Sequence, residues 1–186
     1  MSNTETNPWT ILNSKLVYEN KWLRLDEHKV IDPNGNDGIY SVVHFQNLAI
    51  GILPLDEEYN TWIVGQYRFP LKEYSWEIPE GGGDMKMNPL ESAKRELLEE
   101  TGIKAKDWML IQQMNTSNSA TDEIALIYIA RKLTFHNPEP EETEALQVMK
   151  ISFDELYYKA MKGEIKDGIT LVAIFKTKML IDAKVL

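Results

Sequence analysis

The chain has 186 residues, 43% of them hydrophobic, which is enough for one domain with a sizeable core. Its 29 acidic and 20 basic side chains give a net charge of −9, a balance that argues against non-specific nucleic-acid or membrane-surface binding. With no cysteine, disulfides, thiolate nucleophiles and zinc–thiolate sites are excluded. The opening MSNTETNPWT lacks a basic-then-apolar signal and no apolar run approaches a membrane span, so a cytoplasmic location is expected.

In chain order, residues 1–13 are polar and expected to start loose, followed by strands over 14–19 and 22–31. The turn-rich run from Asp32 to Gly38 separates the second strand from one over 39–45, giving a hairpin-like pair. Apolar strands are expected over 48–55 and 61–69 around the turn at 56–60. After a helix that follows Asn88 come strands near 108–114 and 123–133, then a proline-rich acidic loop over 135–143. A strand near 146–151 leads into a helix over 152–162, and a last helix runs from near Asp167 toward Ala183. No internal repeat or low-complexity tract interrupts this order. Mixed strands with helices on their faces predict an α/β or α+β sandwich.

The segment from Gly81 to Ile103 carries the chemistry. Asn88 suits an N-cap, Pro89 the first helical position and Glu91 the N3 position of a capping box. Leu90, Ala93, Leu97 and Leu98 form an apolar stripe, and Gly102 fits the left-handed position that ends such helices. Glu96, Glu99 and Glu100, at i, i+3 and i+4, project from one face, where three like charges repel. Carboxylate clusters of this kind suit Mg²⁺ or Mn²⁺. The alternative is a solvated acidic face with Lys94 and Arg95 balancing charge, and the glycines upstream weigh against it.

With those residues in view, the segment resembles the box of the Nudix hydrolase family, G-x5-E-x7-R-E-U-x-E-E-x-G-U, where U is aliphatic. Gly81, Arg95, Glu96, Leu97, Glu99, Glu100, Gly102 and Ile103 match in order and spacing. The first glutamate of the box falls instead on Met87, which can neither carry charge nor accept a strong hydrogen bond. The resemblance implies the Nudix α/β/α sandwich with a mixed β-sheet, preceded by an additional N-terminal antiparallel β region. Residues 1–46 would be that region and 47–186 the Nudix domain.

Three further patterns resemble the ADP-ribose and nucleoside-diphosphate-sugar diphosphatase branch. They are Gln66-Tyr67-Arg68-Phe69-Pro70, Trp76-Glu77-Ile78-Pro79 and Gly163-Glu164-Ile165-Lys166-Asp167. That branch implies a homodimer whose N-terminal regions exchange and help cover the substrate. By the same resemblance Trp22, Arg68 and Glu77 border the nucleotide and sugar pocket. Trp22 packed as a strand aromatic on the core is the competing reading, and both stand. For Arg68 the guanidinium fork favours diphosphate oxygens over a core strand.

The resemblance assigns Glu96 and Glu100 as principal metal ligands, Glu99 as support for further ions, and the main-chain carbonyl of Glu80 as another ligand. Arg95 would orient the glutamates, with a surface ion pair as the alternative. In that branch a glutamate from the acidic loop activates water; Glu144 aligns best and Glu142 is close behind, while solvation alone is the competing reading of this loop. His28, His44 and His136 form no pair at ligand spacing, and His44 reads as a core or interface histidine. The expectation is a Mg²⁺-dependent enzyme, with Mn²⁺ possible. It would cut the diphosphate of ADP-ribose, ADP-glucose, GDP-mannose or UDP-glucose type substrates into a nucleoside monophosphate and a sugar phosphate. The loop from Asn115 to Glu123 lacks the proline-glycine pattern of a dedicated ADP-ribose enzyme, which favours nucleotide sugars in general. Two alternatives stay open: a dinucleoside polyphosphate or coenzyme A substrate, and a non-catalytic nucleotide-sugar sensor.

Overall fold

The computed structural model describes residues 6–137 and 146–186, arranged as two compact units. One unit comprises the chain up to Gln46 together with Ser117–Glu123; the other comprises Asn47–Thr116 and Ile124–Leu186.

In the first unit, β1 (Thr10–Glu19), β2 (Leu23–Ile31) and β3 (Asp37–Phe45) form an antiparallel sheet in the order β1-β2-β3. The β2–β3 turn is closed by Asp32 Oδ1, which accepts from the Asn34 and Asn36 N–H groups at 2.8 and 2.9 Å. The stretch expected to be loose is already strand from Thr10, because Thr10 and Ile11 pair with Ile31 and Val30. All ten β1 residues are exposed, including Ile11, Leu12, Leu16, Val17 and Tyr18. Ser117–Glu123 attaches to β3: Val43 N–H donates to Ala120 O at 2.9 Å, and Tyr40 OH to Ser119 O at 2.7 Å. His44 Nδ1 lies within hydrogen-bond distance of Asp122 Oδ2, at 2.6 Å, and the ring remains part-exposed, so it is not a core histidine.

The second unit holds β4 (Asn47–Pro54), β5 (Asn60–Arg68), β6 (Glu73–Glu77), β7 (Glu80–Asp84), α1 (Pro89–Thr101), β8 (Ile103–Asn115), β9 (Ile124–Phe135), β10 (Gln147–Ser152), α2 (Phe153–Met161) and α3 (Gly168–Asp182). Its sheets run β10-β5-β6 and β7-β4-β9-β8, and the second is mixed, with β4 parallel to β9 and antiparallel to β7. Sequence patterning misses β6 and β7. The sequence of β7, Glu-Gly-Gly-Gly-Asp, has no strand former and owes its extension to pairing with β4. Likewise β8 begins at Ile103, ahead of the expected onset, because β9 pairs with it from Ile103 to Asn115.

Strand alternation divides the interior into two cores. On β4, Ile50 and Ile52 enter one core and Leu53 the other; on β9, Leu126, Tyr128 and Ala130 oppose Ile127 and Ile129. Ala93 and Leu97 of α1 fill the first core, with Leu90 packed beside them. Phe153, Leu156 and Ala160 of α2 and Ala173 and Ile174 of α3 fill the second. Helices therefore cover both faces of the mixed sheet, the layering of an α/β/α sandwich.

Candidate active site

The box helix α1 starts as its sequence predicts. Asn88 Oδ1 accepts from Leu90 N–H at 3.0 Å, Pro89 occupies the first turn, and Gly102 closes the helix at φ 69° with its N–H on Leu98 O at 2.8 Å. The Glu91 carboxylate pairs with Lys94 at 2.8 Å instead of returning to the Asn88 N–H, so the N-cap forms without the reciprocal half of the expected capping box. The apolar stripe turns Glu96 and Glu100 inward with it, leaving them only 8% and 3% exposed. A solvated acidic face is thereby excluded for these two carboxylates.

Both face the main chain of β7. Glu100 Oε2 accepts from Glu80 N–H at 3.0 Å. The Glu96 carboxylate lies where a Cβ on Gly81 would be, so that glycine is required by close approach. Arg95 binds Glu99 Oε2 at 2.6 Å, Glu96 Oε1 at 2.5 Å and Gly82 O at 3.1 Å, tying the helix to the glycine strand. Burial works against the Arg95 charge, but Glu96 and Glu99 outweigh it and raise its pKa.

A second polar cluster lies beside it. Arg68 Nε donates to both Glu77 carboxylate oxygens at 3.0 Å, and its Nη2 reaches Glu77 Oε2 and Glu80 Oε1 at 2.5 Å each. Burial opposes the Arg68 charge, and the two glutamates nevertheless raise its pKa. One carboxylate oxygen each of Glu77, Glu80 and Asp167 lies within 4.8 Å of the other two. Burial first, then the charges of Asp167 and Glu77, push the Glu80 carboxyl well above the usual range against the pull of Arg68. Its Oε2 is buried without a hydrogen-bond partner among the described residues. Asp167 and the fully buried Thr170, at the start of α3, were not singled out as site residues by sequence patterning. The Asp-x-x-Thr spacing of a helix N-cap is the signal that marks them.

The structure thus brings Arg68, Glu77, Glu80, Arg95, Glu96, Glu99 and Glu100 onto β5, β6, β7 and α1 of one unit. Trp22 belongs to the other unit, in the bend before β2; at 59% exposure, with Lys21 Nζ 4.2 Å from its ring centroid, it is not a core aromatic. In the loop from Asn115 to Glu123, Thr121 Oγ1 donates to Ser117 O at 3.2 Å. Glu142 and Glu144 lie outside the described residues. The donor set around Glu80 and Gly81 consists of carboxylate and carbonyl oxygens, which fits a hard divalent cation, and the missing Cβ of Gly81 leaves room for the Glu96 carboxylate.

Residues 9–43 match the nucleoside diphosphate sugar hydrolase N-terminal domain, and residues 46–171 match the NUDIX domain. The ADP-ribose pyrophosphatase of Bacillus subtilis (strain 168) is 30% identical over 160 residues, which cover 85% of this chain and 86% of that protein. The methanol dehydrogenase activator of Bacillus methanolicus is 26% identical over 165 residues, covering 88% and 89%. A crystal structure of an ADP compounds hydrolase shares the fold, with a TM-score of 0.84 at 20% identity over 95% of each chain. Family members generally use a divalent metal. Taken with the buried glutamates around Gly81, these matches mean that the chain belongs to the Nudix hydrolase family, in its ADP-ribose and nucleoside-diphosphate-sugar diphosphatase branch.

Proposed function

We propose that the protein hydrolyses the diphosphate bond of nucleoside diphosphate sugars, ADP-ribose among them, to a nucleoside monophosphate and a sugar phosphate. Mg²⁺ is the proposed cofactor, and Mn²⁺ a substitute for it. The observation that carries this reading is the burial of Glu96 and Glu100 against the Glu80–Gly81 main chain, where folding alone gives no reason to gather anions. The match of residues 9–43 to a nucleoside diphosphate sugar hydrolase domain supports the substrate class.

In this reading Glu96 and Glu100 are the principal metal ligands, joined by the main-chain oxygen of Glu80, with Glu99 supporting further ions. When bound, a divalent cation supplies charge neutralisation for the diphosphate and makes water more acidic. Arg95 bonds to both Glu96 and Glu99 and so sets their orientation. Arg68 binds a diphosphate oxygen: its bonds to Glu77 and Glu80 use Nε and Nη2, and Nη1 takes part in neither. Glu77 contributes by holding that fork, and Trp22 is assigned to the border of the nucleotide and sugar pocket. Glu144, or Glu142 two residues before it, accepts the proton of the attacking water.

Residues 1–46 act as the arm of a homodimer, and 47–186 as the hydrolase domain. The two-sided exposure of β1 and its place at the edge of its sheet support this, since a second copy would cover that apolar surface. The proposed location is the cytoplasm; no helix among the described residues is long and apolar enough to cross a membrane.

The test is a panel of nucleotide sugars, dinucleoside polyphosphates and coenzyme A, with and without Mg²⁺, with products separated by ion exchange. Nucleoside monophosphate and sugar phosphate in equal amounts, formed only with metal, are the expected products. Preferred cleavage of a substrate without a sugar on the diphosphate would overturn the substrate class, and binding without cleavage would make the protein a sensor.

A further inference from the structure

The tail motif that ends at Asp167 has no part in the reaction as proposed, yet the structure ties it to the metal side of the site. We infer that Thr170 and Asp167, at the first turn of α3, are positioning residues that hold the Glu77–Glu80 corner in the shape needed for divalent-cation binding. The inference rests on the metal reading above.

The corner between β6 and β7 is gripped from several sides. Arg68 holds the Glu77 and Glu80 carboxylates, Ile52 N–H donates to Pro79 O at 2.8 Å, and Glu100 accepts from Glu80 N–H at 3.0 Å. A further bond comes from a helix 92 residues later: Ile78 N–H donates to Thr170 Oγ1 at 3.0 Å, in a fully buried setting. A buried N–H that loses its acceptor is costly, so this bond fixes the main chain two residues before Glu80. Thr170 is in turn fixed by Asp167, whose Oδ2 accepts the Thr170 N–H at 2.7 Å as the N-cap of α3.

Packing gives a second, independent sign of the same coupling. A Cβ on Gly51 would lie 2.6 Å from Ile169 Cγ2 and 3.0 Å from Ile78 Cδ1. The first turn of α3 and the corner are thus pressed onto one point of β4, which itself pairs Gly51 with Glu80. Movement of the α3 N-terminus therefore displaces the Ile78–Glu80 main chain and, through it, the carbonyl proposed as a metal ligand. Outer partners of this kind set the geometry of ligands without touching the ion.

The deciding measurement is Mn²⁺ binding to the substrate-free protein, read from the electron paramagnetic resonance of free Mn²⁺, beside thermal melts in a chelator. Thr170→Val keeps shape and loses the acceptor; Asp167→Ala loses the cap. Each is expected to raise the Mn²⁺ dissociation constant by about 10-fold. Thr170→Ser keeps the oxygen that accepts and is expected to stay within about twofold of the natural protein, whereas Asp167→Asn keeps the cap but removes a charge beside Glu80 and is expected to lie between the natural protein and Asp167→Ala. Folded Thr170→Val and Asp167→Ala proteins with lowered melting temperature but unchanged Mn²⁺ affinity would overturn the inference, leaving a purely structural role. If one of the two fails to fold, the other decides; if both fail, the residues hold the helix and not the corner, and the inference falls. A natural protein that binds no Mn²⁺ at millimolar concentration defeats the metal reading itself, a result distinct from equal binding by natural and variant proteins.

Discussion

Glu100 accepts a hydrogen bond from the main-chain N–H of Glu80 at 3.0 Å, so a helix carboxylate and the strand carbonyl beside it are set by one contact. The bond satisfies one Glu100 oxygen and aligns the β7 backbone with the helix face that carries Glu96 and Glu99. It also gives Glu100 two separable properties, an acceptor that shapes the strand and a charge that attracts a cation.

Glu100→Gln separates them, because a glutamine oxygen still accepts from Glu80 N–H while the charge is gone. Divalent-cation affinity and turnover are expected to fall by more than the roughly 10- to 100-fold typical of losing an outer partner. The melting temperature without metal is expected to hold or rise, since one anion leaves a crowded acidic site. Hydrolysis unchanged in Glu100→Gln at limiting Mg²⁺ would falsify the ligand assignment.

Gly81→Ala tests the close approach of strand and helix. The added methyl runs into the Glu96 carboxylate, so either the side chain or the strand must shift. Overpacking of this kind costs about 1–3 kcal/mol, and a displaced Glu96 is expected to raise the Mg²⁺ concentration needed for half-maximal activity. Urea unfolding and a Mg²⁺ titration read the two effects; a variant with natural values in both would show that Glu96 has room to spare.

How much was legible beforehand follows from where the information sits. The box helix is encoded locally: Asn88, Pro89 and Gly102 mark its ends, and Ala93 and Leu97 mark its buried face. Strands β1–β5 and β8–β10 and both C-terminal helices are also readable, as hydrophobic runs bounded by turns, whereas the short β6 is not. Strand β7 was not, because three glycines have no strand preference and only pairing with β4 extends them. Nor was the inward turn of Glu96 and Glu100, which depends on which helix face the sheet covers. The grip of Glu77 and Glu80 on Arg68 joins separate strands, and the Thr170–Ile78 bond spans 92 residues; no local pattern holds such pairings.

Asp56 provides a pH-dependent test of the turn before β5. Burial pushes its carboxyl up, but the Asn60 side chain and N–H, Lys150 and the Glu58 N–H outweigh this and hold it below its ordinary value. An acid with a lowered folded pKa adds stability above its unfolded pKa, about 3.9, and loses it as pH falls through the folded value. Asp56→Ala is expected to cost about 1.5–3 kcal/mol at pH 7, as for hydrogen bonds to a charged group. The gap to the natural protein should close as the pH drops below about 4. Denaturant melts at several pH values measure it, and a gap that persists at pH 2–3, on the order of its neutral value, would contradict the charge-based account.

Met87 occupies the position of the missing box glutamate and is exposed, in the turn where its N–H donates to Asp84 O at 3.0 Å. A glutamate there meets solvent, so Met87→Glu is expected to change stability by no more than about 0.5 kcal/mol. Reaction products should be unchanged, and rate or metal affinity only modestly altered. Should the natural protein prove inactive and Met87→Glu active, the sensor reading replaces the hydrolase.

The base assigned to the acidic loop is distinguished from the metal ligands by which kinetic constant it moves. A carboxylate that accepts a proton from the attacking water acts in the chemical step more than in ground-state binding. Glu144→Gln is therefore expected to lower kcat by about 100-fold or more, with KM and Mg²⁺ dependence near their natural values. Loss of Glu100, by contrast, raises the Mg²⁺ requirement as well. Glu142→Gln is the necessary companion, since a shift of two residues along the loop exchanges their roles. If both single variants and the double variant keep near-natural kcat, the base is not on this loop. Glu99 would then be the next residue to replace, because it shares Arg95 with Glu96 on the same helix face and is less buried than Glu96 or Glu100.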